Sequence, residues 1–120
     1  VRAFIARWEA RDVEGILDTF SDSPVYHNMP MEPLTSKDAI RNFIEPFMAP
    51  VTAVEWTVHF IAEDANGVVL TERVDAFQFG DKRIALPVMG TFEFEGDKLA
   101  RWRDYFDLRE FEQQMAALQA

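Results

Sequence analysis

Six residues with polar functional groups fall in three short stretches of the chain, and in each stretch they lie two residues apart. The pairs are Tyr26 and Asn28, Arg73 and Asp75, and Trp102 and Asp104. If each stretch is a β-strand, residues two apart point to the same face of a sheet. We therefore expect a polar cluster of two carboxylates, a guanidinium, a phenol and an amide. Because unpaired charges are costly to bury, such a cluster in an apolar domain indicates a site that acts on a substrate.

The strand faces that carry these residues are otherwise apolar. By alternation, Asp104 shares its face with Trp102 and Phe106, whereas Arg101 and Arg103 lie opposite. Arg73 and Asp75 share a face with three further residues, Val69, Thr71 and Phe77. The strand between these two has an apolar face formed by Ile84, Leu86, Val88, Gly90 and Phe92. Each polar pair alone has an ordinary structural explanation, such as an ion pair or a cap. Their coincidence on apolar faces favours a functional site.

Hydrophobic periodicity predicts the elements that position these faces. Helical spacing marks two short N-terminal helices, the second capped by Asp12, a third helix after the capping box at 35–38, and a last helix capped by Asp107. Pro46 predicts a kink or an early end in the third helix. A period of two begins near Val51, with turns at 64–67, 80–82 and 96–98. Its first strand is expected to bury the stripe Val54, Trp56, Val58 and Phe60.

This order of elements predicts one α+β domain, residues 1–120. Helices precede a long antiparallel meander, and a helix closes the chain, so a strongly curved sheet is expected to wrap around helices. Such curvature leaves a pocket between the concave face of the sheet and the helices. The chain starts at Val1 and enters a periodic pattern at once, so some N-terminal residues are expected to be missing.

Composition excludes several classes of function. The net charge of -9 argues against nucleic acid and anionic membranes as partners, since both require clustered Lys and Arg. No apolar run reaches the length of a membrane span. The absence of cysteine excludes disulfides and thiol catalysis and is compatible with a cytoplasmic location. With two His and no clustered carboxylates at ligand spacing, no metal site is expected.

Three motifs resemble the limonene-1,2-epoxide hydrolase family, within the nuclear-transport-factor-2-like (NTF2-like, cystatin-like) or SnoaL-like superfamily. They are YHNMP at 26–30, TERVD at 71–75 and WRDYFDLREF at 102–111. The resemblance runs from about Val1 to Met115. It implies a cone-shaped, mixed but mostly antiparallel sheet with a deep apolar pocket, usually a homodimer, no cofactor, and hydrolysis of an epoxide to a vicinal diol.

The resemblance also implies a role for each polar residue. Asp104 would be the general base that deprotonates a water, and Tyr26 and Asn28 would hold that water. Asp75 would donate a proton to the epoxide oxygen, with Arg73 between the two carboxylates. We assign Trp102 to the pocket wall, with an indole N–H available to donate. Four residues are expected to grip an apolar substrate: Phe77, Leu86, Val88 and Phe106.

Two alternatives remain open at this point. An isomerase or cyclase on the same scaffold would abstract a proton next to a carbonyl, but it has no obvious use for a second carboxylate tied to an arginine. A non-catalytic ligand-binding or dimerisation module is also compatible with the fold, because fold alone does not decide function. A separation of Asp104 from Asp75 and Asn28 beyond the reach of one water would favour binding.

Overall fold

The computed structural model describes residues 1–119, which form four helices and five strands. The helices are α1 (Arg2–Glu9), α2 (Val13–Thr19), α3 (Lys37–Met48) and α4 (Leu108–Ala117). The strands are β1 (Phe20–Asn28), β2 (Ala53–Glu63), β3 (Val69–Phe79), β4 (Lys82–Glu95) and β5 (Lys98–Tyr105). The predicted α+β architecture is confirmed.

The five strands form one mixed sheet in the order β1-β5-β4-β3-β2. β1 runs parallel to β5, and the other neighbours are antiparallel, as a meander requires. The three strands that carry the polar pairs are therefore β1, β5 and β3. β1 is the direct neighbour of β5, whereas β4 separates β5 from β3.

Side-chain caps start three of the helices. Asp12 accepts a hydrogen bond from the Gly15 amide at 3.0 Å, and Asp107 accepts one from the Glu110 amide at 3.1 Å. A capping box at 35–38 predicts that Thr35 is the N-cap of α3. The N-cap is instead Ser36, which accepts a hydrogen bond from the Ala39 amide at 3.0 Å, so α3 begins one residue later. Such a cap satisfies an amide that has no partner within the helix.

Pro46 does not end α3 early, so that part of the prediction is wrong. The helix continues to Met48, two residues beyond the proline. Its buried side is formed by Ile40, Ile44 and Met48, which belong to the hydrophobic core. Packing on both sides of Pro46 thus holds the helix together despite the hydrogen bond that the proline cannot make.

A β-bulge in β2 overturns the prediction for Phe60. Val58 pairs with Arg73 and Phe60 pairs with Glu72, so His59 is an extra residue on the β2 side. One inserted residue reverses the alternation beyond it. Phe60 consequently lies on the outer face with 73% of its surface exposed, whereas Val54 and Trp56 are buried as expected.

The hydrophobic core lies between the inner face of the sheet and the helices. Aromatic rings form its centre, where Trp102 is fully buried and contacts Phe4, Phe92 and Trp8. Among residues 1–119, no helix is both long and apolar enough to cross a membrane.

Candidate active site

The register of the sheet brings the predicted polar residues to one place on the inner face. On the parallel pair, Tyr26 lies beside Trp102 and Asn28 beside Asp104. On β3, Arg73 and Asp75 point to the same inner face and are buried. The period-two spacing seen in the sequence is therefore realised in three strands of one sheet.

Arg73 lies at the centre of the cluster and uses all of its N–H groups. Toward Asp75, its Nε donates to Oδ1 at 3.0 Å and its Nη2 donates to Oδ2 at 2.9 Å. Toward Asp104, its Nη2 donates to Oδ2 at 2.8 Å and its Nη1 to Oδ1 at 3.2 Å. The second N–H of Nη1 donates a hydrogen bond to Thr71 Oγ1 at 3.0 Å. A guanidinium has five N–H donors, so this one is saturated.

Aromatic rings lie close to the guanidinium of Arg73. Its central carbon lies 4.9 Å from the ring centroid of Trp56 and 5.7 Å from that of Phe92, both within cation–π range. Burial alone would lower the pKa of Arg73, but the charges and hydrogen bonds of Asp104 and Asp75 raise the pKa above its ordinary value. The cation is thus retained in an apolar setting.

Asp104 is anchored by three donors. Its Oδ1 accepts hydrogen bonds from the Trp102 indole at 2.8 Å and from Arg73 Nη1, and its Oδ2 accepts one from Arg73 Nη2. Burial raises the pKa of Asp104, while Arg73 and the indole oppose that rise by favouring the charged form. Burial keeps the pKa of Asp104 above its ordinary value, but Asp104 accepts one more hydrogen bond than Asp75, and that difference favours Asp104 as the charged partner.

Asp75 is the better candidate for the protonated partner. Burial, followed by the nearby negative charge of Asp104, outweighs the hydrogen bonds and charge of Arg73 and raises the pKa of Asp75 to about 6. Two carboxylates on one guanidinium therefore titrate as a pair, and one proton can be shared between them near neutral pH.

Tyr26 and Asn28 stand beside the Asp104 carboxylate on β1. The Tyr26 hydroxyl donates to Asn28 Oδ1 over a long 3.4 Å, and its ring stacks on Trp102 with 4.4 Å between centroids. Burial and the charge of Asp104 raise the pKa of Tyr26 above its ordinary value, so the phenol stays neutral. Both side chains are consequently available to hold a polar molecule next to Asp104.

A largely apolar cavity of about 70 Å³ opens beside the cluster. Four predicted catalytic residues line it (Tyr26, Asn28, Asp75 and Asp104), and so do four predicted substrate contacts (Phe77, Leu86, Val88 and Phe106). Arg73 and Trp102 do not. Trp102 donates its indole N–H to Asp104, which agrees with the donor part of its assignment, but Trp102 is not among the residues that line the cavity.

Strand spacing placed only Trp56 of the remaining lining on an inner face. That lining consists of Trp8, Met31, Phe43, Phe47, Trp56 and Phe111, most of which come from helices α1, α3 and α4. Helical periodicity places several of them on apolar faces, but it does not distinguish a cavity wall from the solid core. Within residues 1–119, no three His, Cys, Asp or Glu side chains are arranged to hold a metal ion.

Comparison with solved structures defines the class of fold. A SnoaL-like protein of Shewanella putrefaciens superposes with a TM-score of 0.80 at 13% identity, over 96% of this chain and 82% of that one. The structure of an LEH-like epoxide hydrolase of Mycobacterium tuberculosis also superposes with a TM-score of 0.80, at 27% identity over 97% of this chain and 86% of that one. The protein has the SnoaL-like, NTF2-like fold.

Sequence comparison identifies the family. The profile of the limonene-1,2-epoxide hydrolase catalytic domain matches residues 1–117. Epoxide hydrolase EphG of Mycobacterium tuberculosis is 30% identical over 108 residues, which are 90% of this chain and 71% of that protein. The chain belongs to the limonene-1,2-epoxide hydrolase family, and the resemblance noted in its three motifs is confirmed.

Proposed function

We propose that this protein hydrolyses an apolar epoxide, cyclic or terpene-like, to a vicinal diol by direct attack of water in one step. The observation that carries the proposal is the pair of buried carboxylates held on one guanidinium at the wall of an apolar cavity. Membership of the family and the name of the EphG relative support it.

Asp104 acts as the general base in this proposal. Tyr26 and Asn28 hold a water against its carboxylate, since both line the cavity on the neighbouring strand. As the water oxygen bonds to an epoxide carbon, Asp104 takes one of the water protons. An anchored, ionised carboxylate suits this task because it can accept a proton without moving.

Asp75 acts as the general acid. The epoxide C–O bond breaks as Asp75 gives its proton to the departing oxygen, which would otherwise become a strongly basic alkoxide. Arg73 cannot supply this donor contact while its five N–H groups remain engaged. In one turnover Asp75 loses a proton to the epoxide oxygen and Asp104 gains a different proton from the attacking water, so the combined charge of Arg73, Asp75 and Asp104 is the same before and after.

The two alternatives have less support. A proton-abstracting isomerase leaves the second carboxylate without a task. A binding module is disfavoured because Asp75 and Asp104 accept from the same Arg73 Nη2 atom at 2.9 and 2.8 Å, so the carboxylates lie well within the reach of one water.

The test is diol formation by the purified protein from a panel of cyclic and terpene epoxides, such as cyclohexene oxide and limonene oxide, without added metal or cofactor. We expect a diol product, an unchanged rate in the presence of a chelator, and no product with Asp104→Asn. Absence of diol across the panel, or rearrangement to a carbonyl compound, would refute the proposal.

A single turnover in heavy-oxygen water, with enzyme in excess, tests the one-step route. Direct attack places the label in the diol and none in Asp75 or Asp104. Attack by a carboxylate would instead form an ester, and the first diol released would be unlabelled. The cavity offers no histidine to hydrolyse such an ester, because neither His27 nor His59 lines it.

We further propose that the protein is a homodimer through the outer face of its sheet. Phe60, Met89 and Tyr105 are exposed there in one row that includes Glu72, and Leu70 is exposed in the next row. Arg103 on this face pairs with Glu93 of its own chain at 2.7 Å, so a two-fold contact between copies would rest mainly on the apolar residues. A cytoplasmic location stays a prediction.

A further inference from the structure

Gly90 occupies the centre of the strand that separates the two halves of the cluster. It lies on β4 between Thr71 of β3 and Asp104 of β5, and all three belong to one row on the inner face. Glycine in the interior of a strand weakens the strand and commonly marks a place where another group approaches closely. Three other glycines, Gly67, Gly80 and Gly96, have positive φ, but Gly90 does not. Backbone geometry therefore does not explain Gly90.

The space above Gly90 is filled by the charged groups of the site. A Cβ atom added there would lie 2.2 Å from Asp104 Oδ1 and 2.7 Å from Arg73 Nη1. Both distances are shorter than a non-bonded contact allows. Arg73 Nη1 crosses β4 at this point, donating to Thr71 on one side and to Asp104 on the other.

Any side chain at this position would therefore stand between Arg73 and Asp104. Strands β3 and β5 are two strand spacings apart, about 10 Å, so a guanidinium anchored on β3 reaches a carboxylate on β5 only across the backbone of β4. We propose that Gly90 is a positioning residue. Because it has no side chain, the Arg73 guanidinium and the Asp104 carboxylate can meet directly above its backbone. The proposal rests on the proposed function for its kinetic consequence but not for its structural one.

The kinetic test is Gly90→Ala, with Thr91→Ala on the opposite face of the same strand as a control. Moving a catalytic base by about 1 Å can cost on the order of 100-fold in rate. We expect Gly90→Ala to lower kcat by about that factor with little change in KM, because the apolar lining is untouched. Thr91→Ala should keep the kcat of the unmodified protein, and wild-type kcat in Gly90→Ala would overturn the proposal.

The structural test needs no substrate, so it remains decisive if no epoxide is hydrolysed. Melting temperatures are compared for Gly90→Ala, Asp104→Ala and the double variant. Since Asp104→Ala removes the nearer of the two side-chain atoms that the added methyl would meet, and also frees Arg73 Nη1 from its bond to Asp104, Gly90→Ala should lower Tm less in that background than in the unmodified protein. Should Gly90→Ala fail to fold, a folded double variant supports the proposal. An equal loss of Tm in both backgrounds, or a double variant that also fails to fold, overturns it.

Discussion

Arg73 organises the site through the number and direction of its donors. Its five hydrogen bonds end on three side chains, Asp75, Asp104 and Thr71, and none is left for a ligand. Its function is therefore to fix the two carboxylates and to keep negative charge tolerable in an apolar setting. A point charge in its place would meet the charge requirement but not the geometric one.

Arg73→Lys is expected to lower kcat at least about 100-fold and to lower Tm, because an ammonium has three donors and cannot fork between two carboxylates. Arg83→Lys is the matched control, since Arg83 makes an exposed ion pair with Glu55 at 3.3 Å. Kinetics and thermal melts of both variants provide the measurement. Near-normal turnover in Arg73→Lys would show that charge alone suffices.

Asp75→Asn and Asp104→Asn should each abolish measurable turnover while the fold is retained. Because the proposed mechanism uses the two carboxylates in one step, the double variant should lose little more than either single variant. Rates measured with excess enzyme, together with circular dichroism, check both parts. Activity retained in Asp75→Asn would remove Asp75 from the role of proton donor.

The raised pKa of Asp75 predicts a pH dependence of stability. Its folded-state pKa is about 6 and its ordinary value is 3.8, so the folded protein binds more protons than the unfolded chain between these values. The free energy of unfolding that this group contributes is therefore fully present at low pH and is lost as pH rises through about 6.

Urea unfolding of the native protein and of Asp75→Asn across this pH range measures that contribution. We expect the variant to lose less stability than the native protein as pH rises, because an amide does not titrate. Asp22→Asn, at an exposed position of β1, is the matched control. Parallel curves for the native protein and Asp75→Asn would contradict the assignment.

At the scale of elements, strand alternation predicted which polar side chains share the inner face where pairing is regular. Tyr26, Asn28, Arg73, Asp75 and Asp104 converge because period two holds in the parts of β1, β3 and β5 that carry them. Elsewhere the register shifts, in β1 between Phe20 and Val25 and in the β4–β5 pairing between Glu93 and Phe94. Alternation failed at Phe60, where the bulge adds one residue to β2. No local preference in that stretch signals the bulge, since the bulge is set by the register in which β2 pairs with β3.

The helical wall of the cavity was not predictable in the same way. Phe43 and Phe47 lie on an apolar helix face whether or not that face borders a cavity, and only tertiary packing decides between the two. Gly90 was likewise assigned to an apolar face without a role. Its significance depends on Arg73, 17 positions earlier in the chain, crossing above it.

α4 protects an edge of the sheet that the strands leave open. β5 pairs with β4 only from Met89 onward, so the first half of β4 lacks a strand on that side. There, Gln114 of α4 accepts from the Ala85 amide at 2.7 Å and donates to the Ala85 carbonyl at 2.8 Å. The Gln114 side chain thus satisfies the two backbone groups that a neighbouring strand would otherwise bond. Phe111, on the same helix, lines the cavity.

Gln114→Ala should destabilise the protein by about 1–3 kcal/mol, since two hydrogen bonds to the strand are lost. It should also speed hydrogen exchange at the Ala85 amide. Gln113→Ala, at an exposed position of the same helix, should leave both unchanged. Unaltered exchange at Ala85 in Gln114→Ala would mean that α4 is held by its apolar contacts alone.

At the scale of the whole molecule, the outer face of the sheet is the proposed interface of the homodimer. Phe60→Glu places a charge in its exposed apolar row and should convert the proposed dimer to a monomer. Gln113→Glu adds the same charge on α4 and should not. Sedimentation velocity of the native protein and both variants distinguishes these outcomes, and a native protein that sediments as a monomer would refute the dimer.

The cavity divides its lining between two kinds of element. All of its acid–base groups lie on strands, whereas much of its apolar surface comes from helices, through Trp8, Phe43, Phe47 and Phe111. In the proposed mechanism, the residues that would fit the substrate are therefore largely separate from those that would transfer protons. The helical positions can then vary without disturbing the proposed acid and base. Variant libraries restricted to Phe43, Phe47 and Phe111 should therefore contain many active clones, and among them clones with altered regio- and enantioselectivity. Selectivity could then evolve through the helical wall of the cavity while the polar residues on the strands stay unchanged.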